Sequence, residues 1–225
     1  KKARRKRLFK RLAVIAAALF LTGLVGAGSV FAYFVKDLPD PQKLIERQVA
    51  ETTKIYDREG KIVLYEIHGE ENRTRIDIKD LPEYVKNSSV AIEDASFYTH
   101  KGISITGILR SLFVDLIERR KAQGGSTITQ QLVKQSILTS EKSYTRKIKE
   151  IILSLEIERK FSKEEILQLY LNEIPYGSNS YGIHAAADTF FHKEPKDLTV
   201  AQSALLASLP NRPTYYSPYG SHTEE

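Results

Sequence analysis

The segment SITGILRSLFVDLI, residues 104–117, indicates the fold class. Its apolar residues recur at spacings of about three and four positions, which is the period of an amphipathic helix, and Ser104 stands where an N-cap is expected. Two later segments, Ser162–Glu165 and Thr199–Gln202, match the capping box that opens a helix. We therefore predict that the chain beyond Asp80 is mainly α-helical.

The pattern before Asp80 is different and predicts a small β-hairpin. Residues 53–67 carry β-branched and aromatic residues on both sides of DREG, residues 57–60, which is typical of a tight turn. Further upstream, DLPDP at residues 37–41 is predicted to form a stiff linker, and residues 42–50 a short helix.

The N-terminal region combines a basic tail with a long uncharged run. Residues 1–11 contain eight of the 34 Lys and Arg residues and no acid, and residues 12–35 contain no charge over 24 positions. A helix of that length spans about 36 Å, more than the hydrocarbon core of about 30 Å. We predict that residues 12–35 form a transmembrane helix, with the basic tail on the cytoplasmic side. The alternative is a cleaved signal peptide, because Val30-Phe31-Ala32 resembles a cleavage site.

Charge and composition exclude several classes of function. The net charge of +6 comes from the tail, because 26 basic and 28 acidic residues remain after Arg11. The basic character therefore does not indicate a nucleic-acid partner. The sequence has no cysteine, which excludes disulfide scaffolds, thiolate zinc sites and cysteine nucleophiles.

Three segments carry candidate chemistry, and the first is AIEDASFYTHKG, residues 91–102. Here Glu93 and Asp94 stand side by side on an apolar background. Adjacent carboxylates in such surroundings are costly unless they face a cleft or a cation. The alternative is that this pair forms the solvated end of a helix.

The second segment is GGSTITQQLVK, residues 124–134, in which a glycine turn runs into a polar helix start. Free backbone N–H groups, hydroxyls and Lys134 are suited to holding a phosphate. The spacing is not that of a nucleotide P-loop. The alternative is a glycine loop with Ser126 as the N-cap.

The third segment, residues 143–160, predicts a buried helix that carries charges. Its apolar residues cover most of the helix circumference, with Arg146 and Glu150 opposite the main stripe and Lys147 on their flank. Burial makes Glu150 a candidate site carboxyl with a perturbed pKa. If the helix face is exposed, Arg146 and Glu150 are an ordinary i,i+4 pair of small energetic value.

In this order and spacing, the segments resemble those of family 51 glycosyltransferases, the peptidoglycan-polymerising module of class A penicillin-binding proteins and of monofunctional transglycosylases. The matching segments are EDASFYTHKG (93–102), GGSTITQQLVK (124–134), RKIKE (146–150), ILQLYLNEIPYG (166–177), SYGIHAAADTFF (180–191) and AQSALLASLPNRPTYYSP (201–218). The uncharged N-terminal run and IYDREGK (55–61) resemble those of the class A proteins too. Gln135 and Pro175 depart from the family pattern, in which Asn and an aromatic residue are common, but neither is a position that the family uses for chemistry.

The resemblance implies a lysozyme-like, mostly helical fold with two lobes around an extended cleft, the smaller lobe lying against the membrane. It also implies that lipid II units are joined. The 4-hydroxyl of an incoming lipid II attacks the lipid-linked glycan, which forms a β-1,4 bond with inversion and expels polyprenyl pyrophosphate. The family's general base matches Glu93 and its second essential carboxylate matches Glu150.

The remaining site residues are also implied by the resemblance. Those expected to bind phosphate or sugar are Ser126, Thr127, Gln131, Lys134, Arg146 and Lys147. Lys134, Arg146 and Lys147 are predicted to converge on the pyrophosphate. A divalent cation, Mg²⁺ or Mn²⁺, is expected to assist, with Asp94 as its ligand. His100 is expected to make a structural hydrogen bond where the helix ends near Gly102.

The predicted organisation has four parts: a basic cytoplasmic tail (1–11), a transmembrane helix (12–35), a linker with the hairpin (36–80) and a glycosyltransferase domain (81–225) that ends short of the family's closing helices. The expected location is the bacterial cytoplasmic membrane, with a single span and an extracytoplasmic catalytic domain. The expected partners are lipid II, the growing lipid-linked glycan and other cell-wall synthesis proteins, and a C-terminal transpeptidase domain is expected to be missing here.

Two alternatives to a polymerase stay open. A lysozyme-like fold can also cleave glycan, as hydrolases and lytic transglycosylases do, but those reactions do not require the cations Lys134, Arg146 and Lys147. The chain can also be a non-catalytic membrane-anchored scaffold, and the presence of both Glu93 and Glu150 argues against that.

Overall fold

The computed structural model describes residues 2–36, 38, 53–59, 61, 63–67, 72–118, 125–138 and 144–219. The backbone falls into two compact units, Lys1–Pro39 and Asp40–Glu225. The short helix predicted for residues 42–50 lies outside the described residues.

The first unit contains helix α1, Lys2–Val35. The helix runs without a break because the uncharged run contains no proline. Within the described part of the chain, Lys10–Phe34 is the one helical span that is long and apolar enough to cross a membrane. Helix α1 therefore has the length and composition of the predicted transmembrane helix.

The second unit begins with the predicted hairpin. Strands β1 (Thr53–Tyr56) and β2 (Val63–Ile67) pair in antiparallel fashion. The turn between them is closed by Asp57, whose Oδ1 accepts a hydrogen bond from the Lys61 amide at 2.7 Å. The hairpin prediction is confirmed.

Helices make up most of the second unit, as predicted. They are α2 (Glu83–Glu93), α3 (Ile105–Glu118), α4 (Ile128–Ser136), α5 (Tyr144–Lys160), α6 (Lys163–Glu173), α7 (Gly182–Phe191), α8 (Val200–Ser208) and α9 (Pro213–Tyr216). Two short 3₁₀ turns, Ile78–Asp80 and Pro195–Asp197, precede α2 and α8. The mainly α class with one small hairpin is confirmed.

A three-stranded sheet joins distant parts of the unit and is not predicted by the sequence patterns. Strand β5 (Ser180–Tyr181) lies in the centre, parallel to β3 (Asn72–Arg73) and antiparallel to β4 (Pro175–Gly177). Strands of this length contain too few residues to show a period of two, so their sequence carries no strand signal.

Helix starts follow the predicted N-caps. The Oγ of Ser104 accepts a hydrogen bond from the Gly107 amide at 3.0 Å, and Ser162 and Thr199 each form a complete capping box. A third box opens α4, where the N-cap is Thr127. The alternative reading of Ser126 as the N-cap is therefore wrong by one residue.

The core of the second unit lies where α4 packs against α5 and α6, while α2 packs against α8. Its buried apolar side chains include Ile128, Leu132, Val133, Leu153, Ile157, Ile166, Leu167 and Leu171. In α5 the more buried face is the one that carries Glu150, whereas Leu155 of the main apolar stripe is exposed. Glu150 is buried on the same helix face as Leu153 and Ile157. The alternative in which this face of α5 is exposed to solvent is therefore wrong.

Glu158 links the three core helices to the segment that follows α2. Its carboxylate accepts hydrogen bonds from Thr129 Oγ1 of α4 at 2.5 Å and from Lys163 Nζ of α6 at 2.7 Å. The same ammonium lies 4.4 Å from the centroid of the buried Phe97 ring. A buried ion pair with an additional hydrogen bond of this kind fixes the relative positions of its helices.

Candidate active site

Glu93 is the last residue of α2, and its carboxyl group lies at a cleft. The helix ends there because Asp94 adopts a non-helical backbone conformation, with φ −156° and ψ 76°. The Oε2 of Glu93 accepts a hydrogen bond from Gln131 Nε2 of α4 at 2.7 Å. Its Oε1 is buried and has no hydrogen-bond partner among the described residues.

The surroundings of Glu93 raise the pKa of its carboxyl above the ordinary value of 4.5. Burial is the largest cause, the hydrogen bond from Gln131 opposes it, and the negative charge of Asp94 adds to it. A carboxylate whose protonated form is favoured in this way is a stronger base than an exposed one. The geometry therefore suits the predicted general base.

Asp94, in contrast, is buried and bound to the fold. Its Oδ2 accepts hydrogen bonds from the Ile128 amide at 3.1 Å and from His100 Nε2 at 2.7 Å, and its Oδ1 accepts one from Ser96 Oγ at 3.3 Å. The amide belongs to the first turn of α4, where a negative charge is stabilising. The predicted role of Asp94 as a metal ligand does not fit a carboxylate with three donors, and the described residues contain no cluster of three His, Asp or Glu able to hold a metal.

His100 has the structural role that the sequence predicts. Its Nδ1 accepts a hydrogen bond from the Gly102 amide at 3.1 Å, and its Nε2 donates to Asp94 Oδ2 at 2.7 Å. Gly102 itself has φ +84°, and a Cβ there would lie 2.8 Å from the carbonyl oxygen of Ser154 in α5. The segment from Glu93 to Gly102 is thus held against both α4 and α5.

Thr127 lines the cleft, and its hydroxyl is engaged in holding the fold. Its Oγ1 donates to the carbonyl oxygen of Gly102 at 2.7 Å and accepts from the Gln130 amide at 3.2 Å, and the side chain is buried. Its hydroxyl proton is donated within the fold, and its predicted binding role stays a prediction. Ser126, one residue earlier, lines the cleft and accepts a hydrogen bond from Lys147 Nζ at 3.1 Å.

Glu150 forms an ion pair with Lys147, and this pair connects α5 to the glycine turn before α4. The carboxylate is 3 % exposed and the lysine side chain 46 %, so the lysine extends from a buried anion towards solvent. The pair has i,i+3 spacing and is a contact that the sequence-based pairing of Arg146 with Glu150 does not include. Ser126, Lys147 and Glu150 therefore form a continuous chain of contacts, and Glu150 orients the lysine.

The remaining predicted residues have different positions. Gln131 contacts Glu93 directly, and Lys134 is exposed one turn further along the same face of α4. Arg146 is half-buried on α5, next to Lys147 in sequence. The convergence of Lys134 with Arg146 and Lys147 stays a prediction.

The cleft has a volume of about 270 Å³, and several of its residues are absent from the sequence-based candidates. It is lined by Glu93, Ser96, Ser104, Thr106, Arg110 and Ser126, among others. The hydroxyl of Ser104 is hydrogen-bonded to that of Ser96 at 3.3 Å and to that of Thr106 at 3.2 Å. Arg110 carries a signal in the sequence, since it is the one cation of helix α3.

Helix α3, which brings Arg110 to the cleft, also has an exposed apolar side. Ile105 is 71 % exposed and Leu109 is 61 % exposed, and Ile108 lies beside them. Adjacent exposed side chains of this size form an apolar patch and are not isolated surface residues. The sequence predicts the helix but not the exposure of this face.

Comparison with known proteins shows which family and which proteins this chain is similar to. Residues 60–225 match the family described as Transglycosylase. The chain is 41 % identical over 216 residues to penicillin-binding protein 1A of Rickettsia bellii, covering 95 % of this chain and 27 % of that protein. It is 42 % identical over 221 residues to penicillin-binding protein 1A/1B of Bacillus subtilis, covering 97 % and 24 %. With penicillin-binding protein 1A of Aquifex aeolicus the identity is 41 % over 214 residues, covering 95 % and 29 %. The chain thus spans about a quarter of the length of the relatives that it matches.

Proposed function

The chain belongs to the transglycosylase family, and from this premise we propose that it is a peptidoglycan glycosyltransferase that polymerises lipid II. The donor is the lipid-linked glycan and the acceptor is the 4-hydroxyl of an incoming lipid II. The products are a glycan longer by one disaccharide, joined through a β-1,4 bond, and a free polyprenyl pyrophosphate. The observation that carries the proposal is the partly buried carboxyl of Glu93, which has a raised pKa and lines the cleft.

Glu93 acts as the general base in this reaction. The O–H bond of the acceptor hydroxyl breaks and its proton passes to the Glu93 carboxylate, while the oxygen forms a bond to C1 of the donor sugar. The C1–O bond to pyrophosphate breaks with inversion, and the leaving group keeps the electron pair. Gln131 holds one carboxylate oxygen during the step, which fixes the direction in which the base faces.

The cations near the cleft stabilise the charge that develops on the pyrophosphate. Lys147 is held by Glu150 and Ser126, so its position is set before substrate binds. Arg146 and Lys134 are proposed to complete the anion site. A divalent cation, Mg²⁺ or Mn²⁺, stays a prediction, and because Asp94 does not fit as its ligand, no step is assigned to it.

The setting of the reaction is also a proposal. We place α1 across the bacterial cytoplasmic membrane, with its basic end inside and the catalytic domain outside, because its length and uncharged composition fit a membrane span. The apolar side of α3 then offers a second membrane contact next to the cleft. In the complete protein we expect a transpeptidase domain beyond these residues and contacts with other cell-wall synthesis proteins.

The experiment that tests the proposal uses the full chain in detergent with labelled lipid II and a divalent cation, with products resolved by size. We expect glycan that lengthens with time and release of polyprenyl pyrophosphate, and neither product with Glu93→Gln. A second incubation with finished peptidoglycan separates the alternatives. Cleavage of the finished glycan without extension of lipid II would indicate a hydrolase or lytic transglycosylase, and a folded chain inactive on both substrates would indicate a scaffold.

A further inference from the structure

One carboxylate oxygen of Glu93 and two tyrosine hydroxyls are buried and have no hydrogen-bond partner among the described residues. They are the Oε1 of Glu93 and the hydroxyls of Tyr170 and Tyr176. The two tyrosines are among the largest fully buried side chains, with 1 % and 0 % exposure. Buried polar atoms are nearly always hydrogen-bonded in folded proteins, so three exceptions in one region require an explanation.

The two tyrosines belong to elements other than α2, which carries Glu93. Tyr170 belongs to α6, which packs against α4, and Tyr176 is the central residue of β4. Neither tyrosine lines the cleft. The charge of Glu93 acts on both hydroxyls, which places the three groups within electrostatic reach of one another.

The chemistry of the three atoms is complementary. Burial, and after it the charge of Glu93, raises the pKa of both tyrosines above the ordinary value of 10.0, so both hydroxyls keep their protons at any working pH. A protonated hydroxyl donates a hydrogen bond, and a carboxylate oxygen only accepts. A buried water is stable where it has two to four polar partners, and these atoms supply about that number.

We infer that Tyr170 and Tyr176 are positioning residues for Glu93, whose Oε1 receives hydrogen bonds from their hydroxyls through one bridging water. The inference rests on the proposed function, in which Glu93 is the base. Gln131 then holds Oε2 and the tyrosine pair holds Oε1, so the carboxylate cannot rotate. The two sets of donors also stabilise the ionised form of Glu93 against burial.

The groups that act on Glu93 determine whether its pKa rises or falls when a tyrosine hydroxyl is removed. Burial is the largest cause of the raised pKa of Glu93, the hydrogen bond from Gln131 of α4 lowers that pKa, and the charge of Asp94 raises it. The charge of Glu93 in turn acts on Tyr170 of α6 and Tyr176 of β4. Removing a tyrosine hydroxyl removes a donor to the ionised form and leaves burial and Asp94 unchanged. The pKa of Glu93 should therefore rise further in either Tyr→Phe variant.

The test compares Tyr170→Phe and Tyr176→Phe with a matched control, Tyr84→Phe. The hydroxyl of Tyr84 donates to the carbonyl oxygen of Leu198 at 2.7 Å, so its loss affects the fold and not the base. In the full chain, the acidic limb of the kcat/KM profile for lipid II polymerisation should move to higher pH in the two variants and stay in place in the control. A displacement of one pH unit lowers the rate about tenfold on that limb, through kcat and not KM. A uniform loss at every pH, with the limb unmoved, would assign the tyrosines to the fold alone.

A second measurement does not need activity. Infrared difference spectra between the wild type and Glu93→Gln isolate the Glu93 carboxyl, and its titration midpoint should rise in both Tyr→Phe variants. A shifted midpoint in a chain that does not polymerise lipid II would leave this inference standing and refute the proposed function. If neither variant folds, a high-resolution structure of the wild type gives the result, since a water bonded to Oε1 and both hydroxyls is expected and its absence refutes the inference.

Discussion

Replacing Glu93 by Gln should stop polymerisation and stabilise the fold at the same time. Glutamine keeps the size of the side chain, and its amide oxygen can still accept the hydrogen bond from Gln131. It cannot take a proton from the acceptor hydroxyl, and the loss of a general base costs about 10²–10⁴ in rate. Lipid II turnover should fall by that factor while substrate binding survives.

The gain in stability comes from the burial of the carboxylate. Ionising Glu93 in its partly buried position costs folding free energy, because burial is the largest cause of its raised pKa and a pKa raised by one corresponds to about 1.4 kcal/mol. Glutamine removes the charge from this position. Because each kcal/mol raises the melting temperature of a protein of this size by about 2–4 °C, the variant should melt several degrees above the wild type.

The gain in stability of Glu93→Gln over the wild type should depend on pH, and the pKa shift of Glu93 sets its direction. The pKa of Glu93 in the folded chain is raised above 4.5, so below 4.5 the carboxyl is protonated in both the folded and the unfolded chain. As the pH rises through the raised folded value, only the wild type must ionise a buried group, and it loses stability relative to Glu93→Gln. The difference in melting temperature should therefore be small at acid pH and grow towards neutral pH.

Circular dichroism melts across this pH range measure the effect, and Glu165→Gln is a control of opposite sign. The pKa of Glu165 is lowered by hydrogen bonds from the backbone and side chain of Ser162, so its ionised form contributes stability above 4.5. Its replacement should reduce stability there. The reasoning about Glu93 is refuted if Glu93→Gln melts at or below the wild type at neutral pH, or polymerises lipid II at the wild-type rate.

Three further predictions concern the turn, the anion site and the anchor. Gly102→Ala should destabilise the fold by at least about 1–2 kcal/mol in urea unfolding, because of its positive φ and the carbonyl oxygen of Ser154; an unchanged midpoint contradicts this. Lys134→Ala should weaken binding of lipid pyrophosphates and of phosphoglycolipid inhibitors such as moenomycin, measured by titration, whereas the exposed Lys79→Ala should not; equal affinities remove Lys134 from the anion site. Deleting the tail and residues 12–35 should release the chain from the membrane fraction more readily, with some detergent dependence persisting through the apolar side of α3. Recovery of a mature chain beginning just after Ala32 would replace the anchor by a signal peptide.

Local features of the fold are predictable from the sequence, and features set by distant contacts are not. Helix periods, capping boxes and the turn after Asp57 depend on residues within about four positions of one another, so the pattern contains the whole interaction. The role of Asp94 depends on the amide of Ile128, and that of Thr127 on the carbonyl of Gly102. Neither contact leaves a trace in sequence spacing.

In the candidate site, too, some features are predictable from the sequence and others depend on contacts that the sequence does not show. Glu93 and Glu150 are identifiable because a carboxylate among apolar residues is unusual. The contact of Glu150 with Lys147 is not, because residues at i−3 and i−4 are both within reach on a helix and spacing alone does not choose between them. Tyr170 and Tyr176 are ordinary core residues in the sequence, and only their buried, unpartnered hydroxyls distinguish them.

The segment between Glu93 and Gly102 has a consequence for how such proteins can diverge. Its two ends are fixed by the Asp94–Ile128 bond at the start of α4 and by the contact of Gly102 with Ser154 in α5. An insertion or deletion within it would displace the base relative to the cations, whereas a substitution on its outer side would not. Evolution can therefore vary the outward-facing residues of this segment more readily than its length.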